Sequence, residues 1–266
     1  MKNEDGRRPA QLPDLDRLTA EITDYLRVTL DSLTRVRADM RELLDRVERD
    51  GRRPARSDLG GIRESLQACL RNPECAVDRI GVATAVDYLM DSPYWMEWWG
   101  YDDHGDLEFI GHSVNPGQVS FYDYSSRGWF SIPQTCGTPA IIGPYVDFGG
   151  IDSYSYTVTI SVPVITEGGF AGVAGADVLA HRFERFLFTG DRDRSPVVLV
   201  NADLRVIAST TSGYLPGDLL QPDDVTSWST SELAADLFPN GRSWQLVSPL
   251  PDPGASDPRL PVSGSP

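Results

Sequence analysis

The sequence predicts an α+β protein in which helices flank an antiparallel sheet. Residues 14–50 carry apolar side chains at spacings of three, four and seven, without a Gly or Pro, which is typical of one long helix. From residue 78 onward the apolar runs are short and are separated by turn residues, which favours hairpins and therefore antiparallel pairing. The chain has 266 residues and a hydrophobic fraction of 40%, enough for a substantial core.

The predicted N-terminal helix is the longest element. Asp14 can cap its start, and Gly51 with Pro54 ends it. At 1.5 Å per residue the helix would be about 55 Å long. Its apolar stripe comprises Ile22, Leu26, Leu33, Val36, Met40, Leu43 and Val47. This stripe can pack along the chain's own sheet or meet a second copy in a homodimer, and amphipathicity alone favours neither.

A second helix is predicted from residue 57 to Leu70, where Asn72 and Pro73 stop it. Strands are predicted at residues 79–86, 94–99, 106–114, 140–147, 153–165 and 169–178, with a short helix ending at Gly137 before the fourth of them. Tight turns are expected at residues 102–106 and 166–169, and Pro144 marks an edge or a bend. The glycines at 168, 169, 172 and 175 suggest bulges or close backbone approach.

The C-terminal part is predicted to contain less structure. A helix at residues 179–188 and a linker at 190–196 precede a hairpin at 197–210, a short helix at 231–238 and a last strand at 243–250. The predicted organisation is a disordered leader at 1–13, a main domain at 14–190, a small module at 195–250 that packs against it, and a disordered tail at 251–266.

Composition limits the possible partners and compartments. The 39 acidic and 24 basic residues give a formal net charge of -15, the wrong sign for binding nucleic acid. No stretch approaches the roughly 20 apolar residues of a membrane span, and no apolar secretory segment is present, so the prediction is a cytoplasmic protein. Cys69, Cys75 and Cys136 are expected to be reduced, although the first two could bridge in an oxidising compartment.

Motifs of common enzymes are missing from the sequence. The three histidines lie apart and form no HExxH pair, the cysteines have no zinc-type spacing, and no GxSxG, Walker or GxGxxG motif is present. The glycines of residues 168–175 lie within a strand pattern and not before a helix. We therefore expect no metal, no cofactor and no catalysis. An enzyme that uses Asp147 or Asp177 as a base is the least supported alternative.

A group of aromatic and charged residues instead indicates a ligand site. An Arg beside a phenol and an indole N–H can bind a carboxylate. An Asp with aromatic faces can hold an ammonium group. The candidates are Tyr122, Arg127, Trp129, Tyr145, Asp147 and Asp177. On the residues alone, an aromatic core with separate surface charges is the favoured alternative.

Residues from Asp14 to Leu187 resemble the Cache fold, the PAS-like sensor family that is also called PDC sensors. The resemblance depends on the leading helix and on the order of YDYSSRGWF, GPYVD, TVTISVPVI and FAGVAGADV. It implies a PAS-like mixed or antiparallel sheet. Residues 197–210, followed by LPGDLL, resemble the start of the second module in double-Cache sensors, in a reduced form.

The resemblance also implies roles for single residues. In this sequence Tyr122, Arg127 and Trp129 match the block that holds a ligand carboxylate, whereas Tyr145, Asp147 and Asp177 match the residues that hold an ammonium group. Phe130 stands where amino-acid-binding members have Tyr, so one hydroxyl contact is missing.

The resemblance thus implies a non-catalytic sensor that binds an amino acid or a related amine or small carboxylate. The chain is similar to free-standing, cytoplasmic Cache proteins of high-GC bacteria, so its signal would pass through dimerisation or through a regulatory protein partner. The alternative is an interaction or scaffold protein that kept the fold and lost the ligand.

Overall fold

The computed structural model describes residues 14–146, 155–188, 195–240 and 243–249. The predicted leader at 1–13, the predicted tail at 251–266 and most of the predicted linker at 190–196 lie outside these ranges. The assignment of 14–190 and 195–250 to two modules stays a prediction.

The long N-terminal helix is confirmed as α1, Leu15–Arg49. Its start is capped by Asp14, whose Oδ1 accepts a hydrogen bond from the Arg17 N–H at 3.0 Å. The chain leaves the helix at Gly51, whose φ of +70° lies in the left-handed region. The buried stripe runs from Leu18 to Val47. It contains the predicted residues except Leu43, in whose place Leu44 is buried, and it adds Leu18 and Leu30.

The other helices are α2 (Ile62–Arg71), α3 (Gly128–Cys136), α4 (Ala180–Leu187) and α5 (Pro222–Val225), and a 3₁₀ turn (Arg56–Leu59) precedes α2. The strands are β1 (Arg79–Thr84), β2 (Met96–Tyr101), β3 (Leu107–Phe109), β4 (Ala140–Val146), β5 (Tyr156–Thr166), β6 (Gly169–Leu179), β7 (Val198–Val200), β8 (Val206–Ser209), β9 (Ser229–Leu233) and β10 (Trp244–Ser248). The fold class predicted from the sequence, α+β with a long N-terminal helix, is confirmed.

The larger sheet has six strands in the order β3-β2-β1-β6-β5-β4, and every neighbouring pair is antiparallel. The predicted turns join β2 to β3 and β5 to β6. Gly172 lies beside the bulge of the second hairpin at φ +152°, where an added Cβ would meet the Ala83 carbonyl oxygen at 2.1 Å. The expected close backbone approach is therefore present at this glycine.

The smaller sheet has four strands in the order β8-β7-β10-β9. The predicted helix at residues 231–238 is wrong, because residues 229–233 form β9 and pair with β10. Leu233, Ala234, Leu237 and Phe238 have a spacing that imitates a helical stripe. Pairing with β10 satisfies the backbone while still burying Leu233, so tertiary structure overrides the local pattern.

α1 packs against both sheets and joins them. Near its start, the Thr19 hydroxyl donates to the Ser231 hydroxyl of β9 at 2.9 Å. Near its end, Glu48 accepts a hydrogen bond from the Thr166 hydroxyl at the end of β5. The helix stripe and both sheets contribute to one apolar cluster. The stripe is thus covered by the chain's own sheets, and a homodimer through α1 stays a prediction that the stripe itself does not support.

The prediction of reduced cysteines is wrong for two of the three. Cys69 and Cys75 form a disulfide with a Cα–Cα distance of 5.9 Å. α2 ends at Arg71, and the bend that Asn72 and Pro73 impose brings the two thiols together. Cys136 has a free thiol. No helix in the described part of the chain combines the length and hydropathy that a membrane span requires.

Candidate functional site

The two faces of the six-stranded sheet differ in chemistry because successive side chains of a strand point to opposite faces. One face packs on α1 and α2 through aliphatic side chains such as Ile80, Val82 and Ile160. The opposite face, here called the site face, carries Trp98 of β2 and Asp177 of β6 and is covered by α3. The polar and aromatic residues singled out in the sequence concentrate on or above this site face.

Trp98 lies flat across the middle of the site face. It pairs with Gly81, which in turn pairs with Gly175. A Cβ at Gly81 would be 2.2 Å from the Trp98 ring, and a Cβ at Gly175 would be 2.8 Å from it. Only glycine at these two positions leaves room for the indole, so the sequence of neighbouring strands fixes where its N–H points.

The indole N–H is directed at the carboxylate of Asp177. Trp98 Nε1 donates to Asp177 Oδ2 at 2.9 Å, and the Thr159 hydroxyl donates to Asp177 Oδ1 at 2.6 Å. Thr159 is the direct cross-strand neighbour of Asp177 and also shares a short hydrogen bond with the Tyr145 hydroxyl. Asp177 is only 5% exposed. Two neutral donors therefore hold a buried carboxylate in a fixed orientation.

α3 forms the roof of the site face. Trp129 is buried with its ring centroid 5.5 Å from that of Trp98, and its carbonyl accepts a hydrogen bond from the Ser161 hydroxyl of β5 at 2.6 Å. Phe130 is fully buried and packs edge-on against Phe170. For Trp129 and Phe130 the structure agrees with the aromatic-core alternative, since both pack into the apolar cluster of this face.

Tyr124 supports the loop before α3. Its hydroxyl donates to the Thr84 carbonyl at 2.9 Å and accepts from the Trp95 N–H at 3.1 Å. Burial raises the pKa of the Tyr124 phenol to about 12, so the group is neutral at physiological pH. In the same loop, hydrogen bonds from Ser125 hold the pKa of the Asp123 carboxyl below its usual range.

Tyr122 and Arg127 lie together at the exposed end of this loop. The Arg127 guanidinium carbon is 5.4 Å from the centroid of the Tyr122 ring, within range for a cation–π contact. The ring of His112 lies 4.8 Å from the same Tyr122 ring. Arg127 is exposed and precedes the first turn of α3, so its guanidinium can reach a solvent-borne anion.

The structure thus brings the predicted residues into two groups. Tyr145 and Asp177 are joined through Thr159, and Tyr122 contacts Arg127. Trp129 and Phe130 lie in the packed layer above the site face. Asp147 lies outside the described residues. That these groups bind one ligand stays a prediction.

Three residues of the site face were not predicted, namely Trp98, Thr159 and Arg79. The sequence places Trp98 and Thr159 only within predicted strands, at residues 94–99 and 153–165. Strand register could have found them, because it pairs Asp177 directly with Thr159 and Arg79 and places Trp98 on the same face, in the row of Gly81 and Gly175. Within the described residues no group of three or more His, Cys, Asp or Glu side chains could hold a metal ion.

A separate shallow cleft of about 190 Å³ lies between β4 and the β7–β8 turn, lined among others by Tyr145, Asn201 and Trp244. Asn201 crosses it, donating to the Gly143 carbonyl at 2.7 Å.

No protein-family model and no curated protein matches the chain. Solved structures do. The periplasmic sensory domain of the Campylobacter jejuni chemoreceptor Tlp1 is 10% identical, with a TM-score of 0.62 over 88% of this chain and 90% of that one. A methyl-accepting chemotaxis protein X is 12% identical, with a TM-score of 0.57 over 89% and 96%.

The ligand-binding domain of the Pseudomonas aeruginosa PAO1 amino acid chemoreceptor PctC, solved in complex with GABA, is 16% identical, with a TM-score of 0.54 over 88% of this chain and 95% of that one. At these identities the likeness concerns the fold. The chain therefore has the fold of chemoreceptor sensor domains, with its polar residues gathered on one face of the larger sheet.

Proposed function

We propose that the chain is a non-catalytic sensor that binds a small amine, such as an amino acid, over the site face. The observation that carries this proposal is the carboxylate of Asp177, which is buried and oriented by Trp98 and Thr159. A buried carboxylate that donors hold in one orientation can accept hydrogen bonds from the ammonium group of a ligand. The aromatic rings of Trp98 and Trp129 would flank the same ammonium.

The other half of the proposed ligand would lie toward Arg127. A guanidinium offers two parallel N–H donors to a carboxylate, and the Tyr122 ring beside it limits the directions in which Arg127 can turn. We assign the ligand carboxylate to Tyr122, Arg127 and Trp129, and the ammonium to Tyr145, Asp147 and Asp177. Phe130 contributes packing and no hydroxyl.

The fold supports this proposal. Structures with the same fold include the Pseudomonas fluorescens chemoreceptor CtaA in complex with L-isoleucine and, separately, with L-serine. In those proteins the bound molecules carry an ammonium and a carboxylate. The chemistry of Asp177 and Arg127 in this chain suits the same class of molecule.

Calorimetric titration with a panel of amino acids and amines tests the proposal. Asp177→Asn keeps the shape of the side chain and removes its charge, and we expect it to weaken binding by about 30-fold or more, since losing one partner of a buried charge pair costs about 2–5 kcal/mol. Asp103→Asn, at an exposed position, is the matched control and should bind like the wild type. Equal affinities for all three proteins would refute the site.

The packed aromatic layer favours a second candidate, an interaction protein that has lost its ligand. Trp129 and Phe130 fill space above the site face as core residues do. In that case no compound of a metabolite library would raise the melting temperature. A rise with any amine that Asp177→Asn abolishes would exclude the second candidate.

The disulfide bears on where the chain works. Disulfides persist in oxidising compartments and are rare in the reducing cytosol, so the bond between Cys69 and Cys75 argues against the predicted cytoplasmic location. We propose an oxidising compartment, from which the signal would pass to a regulatory protein or through dimerisation. Thiol alkylation and mass spectrometry of protein isolated under acid quench should find one free thiol, Cys136; three free thiols would support the cytosol.

A further inference from the structure

Arg79 is a charged residue of the site face that no sequence motif singled out. It is the direct cross-strand neighbour of Asp177 on β6 and of Gly100 on β2. In antiparallel pairs such neighbours have their Cα atoms about 4.5–5.5 Å apart and their side chains on the same face. Arg79, Asp177 and Thr159 thus form one row across the sheet.

Arg79 is buried, and one nitrogen of its guanidinium lacks a hydrogen-bond partner. The residue is 8% exposed, and its Nη1 is a buried donor with no hydrogen-bond partner among the residues that the structure describes. Within the same ranges it forms no ion pair. A buried guanidinium nitrogen without a hydrogen-bond partner is unfavourable, and such groups are enriched at functional sites.

The surroundings of Arg79 keep this charge in place. Its Cγ lies over Gly100, where an added Cβ would be 3.0 Å from it and 3.1 Å from Ile110 Cδ1. Asp177 already accepts hydrogen bonds from Trp98 and Thr159, which hold its carboxylate in position. Arg79 and Asp177, two residues of opposite charge, therefore occupy neighbouring positions of one sheet row on the same face.

We propose that Arg79 binds the α-carboxylate of an amino acid whose ammonium binds Asp177, and that Arg127 binds a second carboxylate on the side chain. This inference rests on the proposed function and makes it specific: the carboxylate assigned to Arg127 there is the side-chain carboxylate, and Arg79 adds a site for the α-carboxylate. An α-amino acid carries its ammonium and carboxylate on the same carbon, which matches two oppositely charged side chains in neighbouring strands. The preferred ligand class is then the acidic amino acids.

Three probes separate the two cations: glutamate, glutamine and 4-aminobutyrate. Glutamine lacks the charge at the far end, and 4-aminobutyrate lacks the α-carboxylate. We expect the wild type to bind glutamate about 10-fold or more tightly than either, as one charged hydrogen-bonded contact is lost in each case. Arg79→Met should abolish the preference over 4-aminobutyrate, and Arg127→Met the preference over glutamine. The exposed Arg35→Met is the control and should keep both.

The melting temperature of the ligand-free protein gives a second readout. Since Arg79 is buried and unpaired, Arg79→Met should melt at the same temperature as the wild type or higher. A lower melting temperature with equal loss of affinity for all three probes would make Arg79 a structural residue and overturn the inference. Binding of 4-aminobutyrate as tight as glutamate, with Asp177→Asn still abolishing both, would overturn it while leaving the proposed function intact. Binding of none of the probes would refute the inference for acidic amino acids and would leave the proposed function to the wider panel.

Discussion

The two faces of the larger sheet are built from the same strands and do different work. On β5, Ile160 points into the apolar layer beneath α1, whereas its neighbour Thr159 points to the opposite face and donates to Asp177. On β1, Ile80 and Arg79 divide in the same way. Because successive residues of a strand point to opposite faces, residues that stabilise the core alternate along the strand with residues that form the candidate site.

Substitutions on the two faces should therefore have different effects, on folding for one face and on ligand binding for the other. The helix-side face has aliphatic groups that any core requires, and the site face has a buried Asp and a buried Arg that a core would avoid. Substitutions on the first face should lower the free energy of unfolding and leave affinity per folded molecule unchanged. Substitutions on the second should change affinity more than stability.

The largest effect is expected from Ile160→Ala on the helix-side face. Ile160 is fully buried, and removing its side chain loses transfer free energy and leaves a cavity, so the free energy of unfolding should fall by about 2–5 kcal/mol. Ile165→Ala, on the same strand but 47% exposed, should cost less than about 1 kcal/mol. Urea titration measures both. Equal losses would contradict the assigned faces.

The next largest effect is expected at Gly81, over which the Trp98 ring lies. In Gly81→Ala the new methyl would overlap the Trp98 ring and lie 2.5 Å from the Glu97 carbonyl oxygen, and we expect a loss of about 1–3 kcal/mol. The indole would also leave Asp177, so ligand affinity should fall. Gly117→Ala, where only the Asn115 amide oxygen is near at 3.4 Å, is the control. Unchanged stability and affinity in Gly81→Ala would show that the ring has room to move.

Thr159→Val should have a smaller effect on stability and a clear one on binding. The change keeps the shape and removes the hydroxyl that joins Tyr145 to Asp177. Losing a donor to a buried carboxylate should cost about 1–2 kcal/mol and weaken amine binding. The same change at the exposed Thr230 should alter neither quantity. If Thr159→Val bound amines like the wild type, the carboxylate would not need this orientation.

Tyr124→Phe should cost about 1 kcal/mol, because the hydroxyl bonds two backbone groups of the β1–β2 region. Tyr94→Phe is the control, since its hydroxyl has no hydrogen bond within the described residues.

The Tyr124 phenol also makes stability depend on pH. Its pKa is raised by burial from 10.0 to about 12, so the stability it contributes is complete below about pH 10 and is lost as the pH rises toward 12. Urea titrations between pH 9 and 11 should therefore show a shallower alkaline decline for Tyr124→Phe than for the wild type. Parallel declines would assign the effect to other groups.

Much of the fold could be predicted because period and turn chemistry are local. The cap at Asp14, the stripe of α1 and the hairpin of β5 and β6 follow from the residues themselves. β9 could not be predicted, since the apolar spacing of its residues is typical of a helix and only the pairing with β10 makes it a strand. The disulfide likewise depends on how the chain bends after α2.

The candidate site was predicted in part for the same reason. Asp177 and Tyr145 are conspicuous in the sequence, but the register that puts Arg79 beside Asp177 and Trp98 opposite Gly81 is a non-local property. Two glycines, Gly81 and Gly175, give no sign in the sequence that they make room for an indole. Roles that depend on cross-strand neighbours become visible only once the strands are aligned.

β4 is an edge strand of the larger sheet, and unpaired edges invite other polypeptides to add to them. The bulge between Ile142 and Tyr145 disrupts the regular ladder there. Asn201, in the turn between β7 and β8, donates a hydrogen bond to the Gly143 carbonyl. The C-terminal strands thus cover part of the β4 edge, where strands of a second chain could otherwise pair and form fibrils or swapped dimers. Proteolytic removal of this part would leave a chain prone to self-association, whatever it binds.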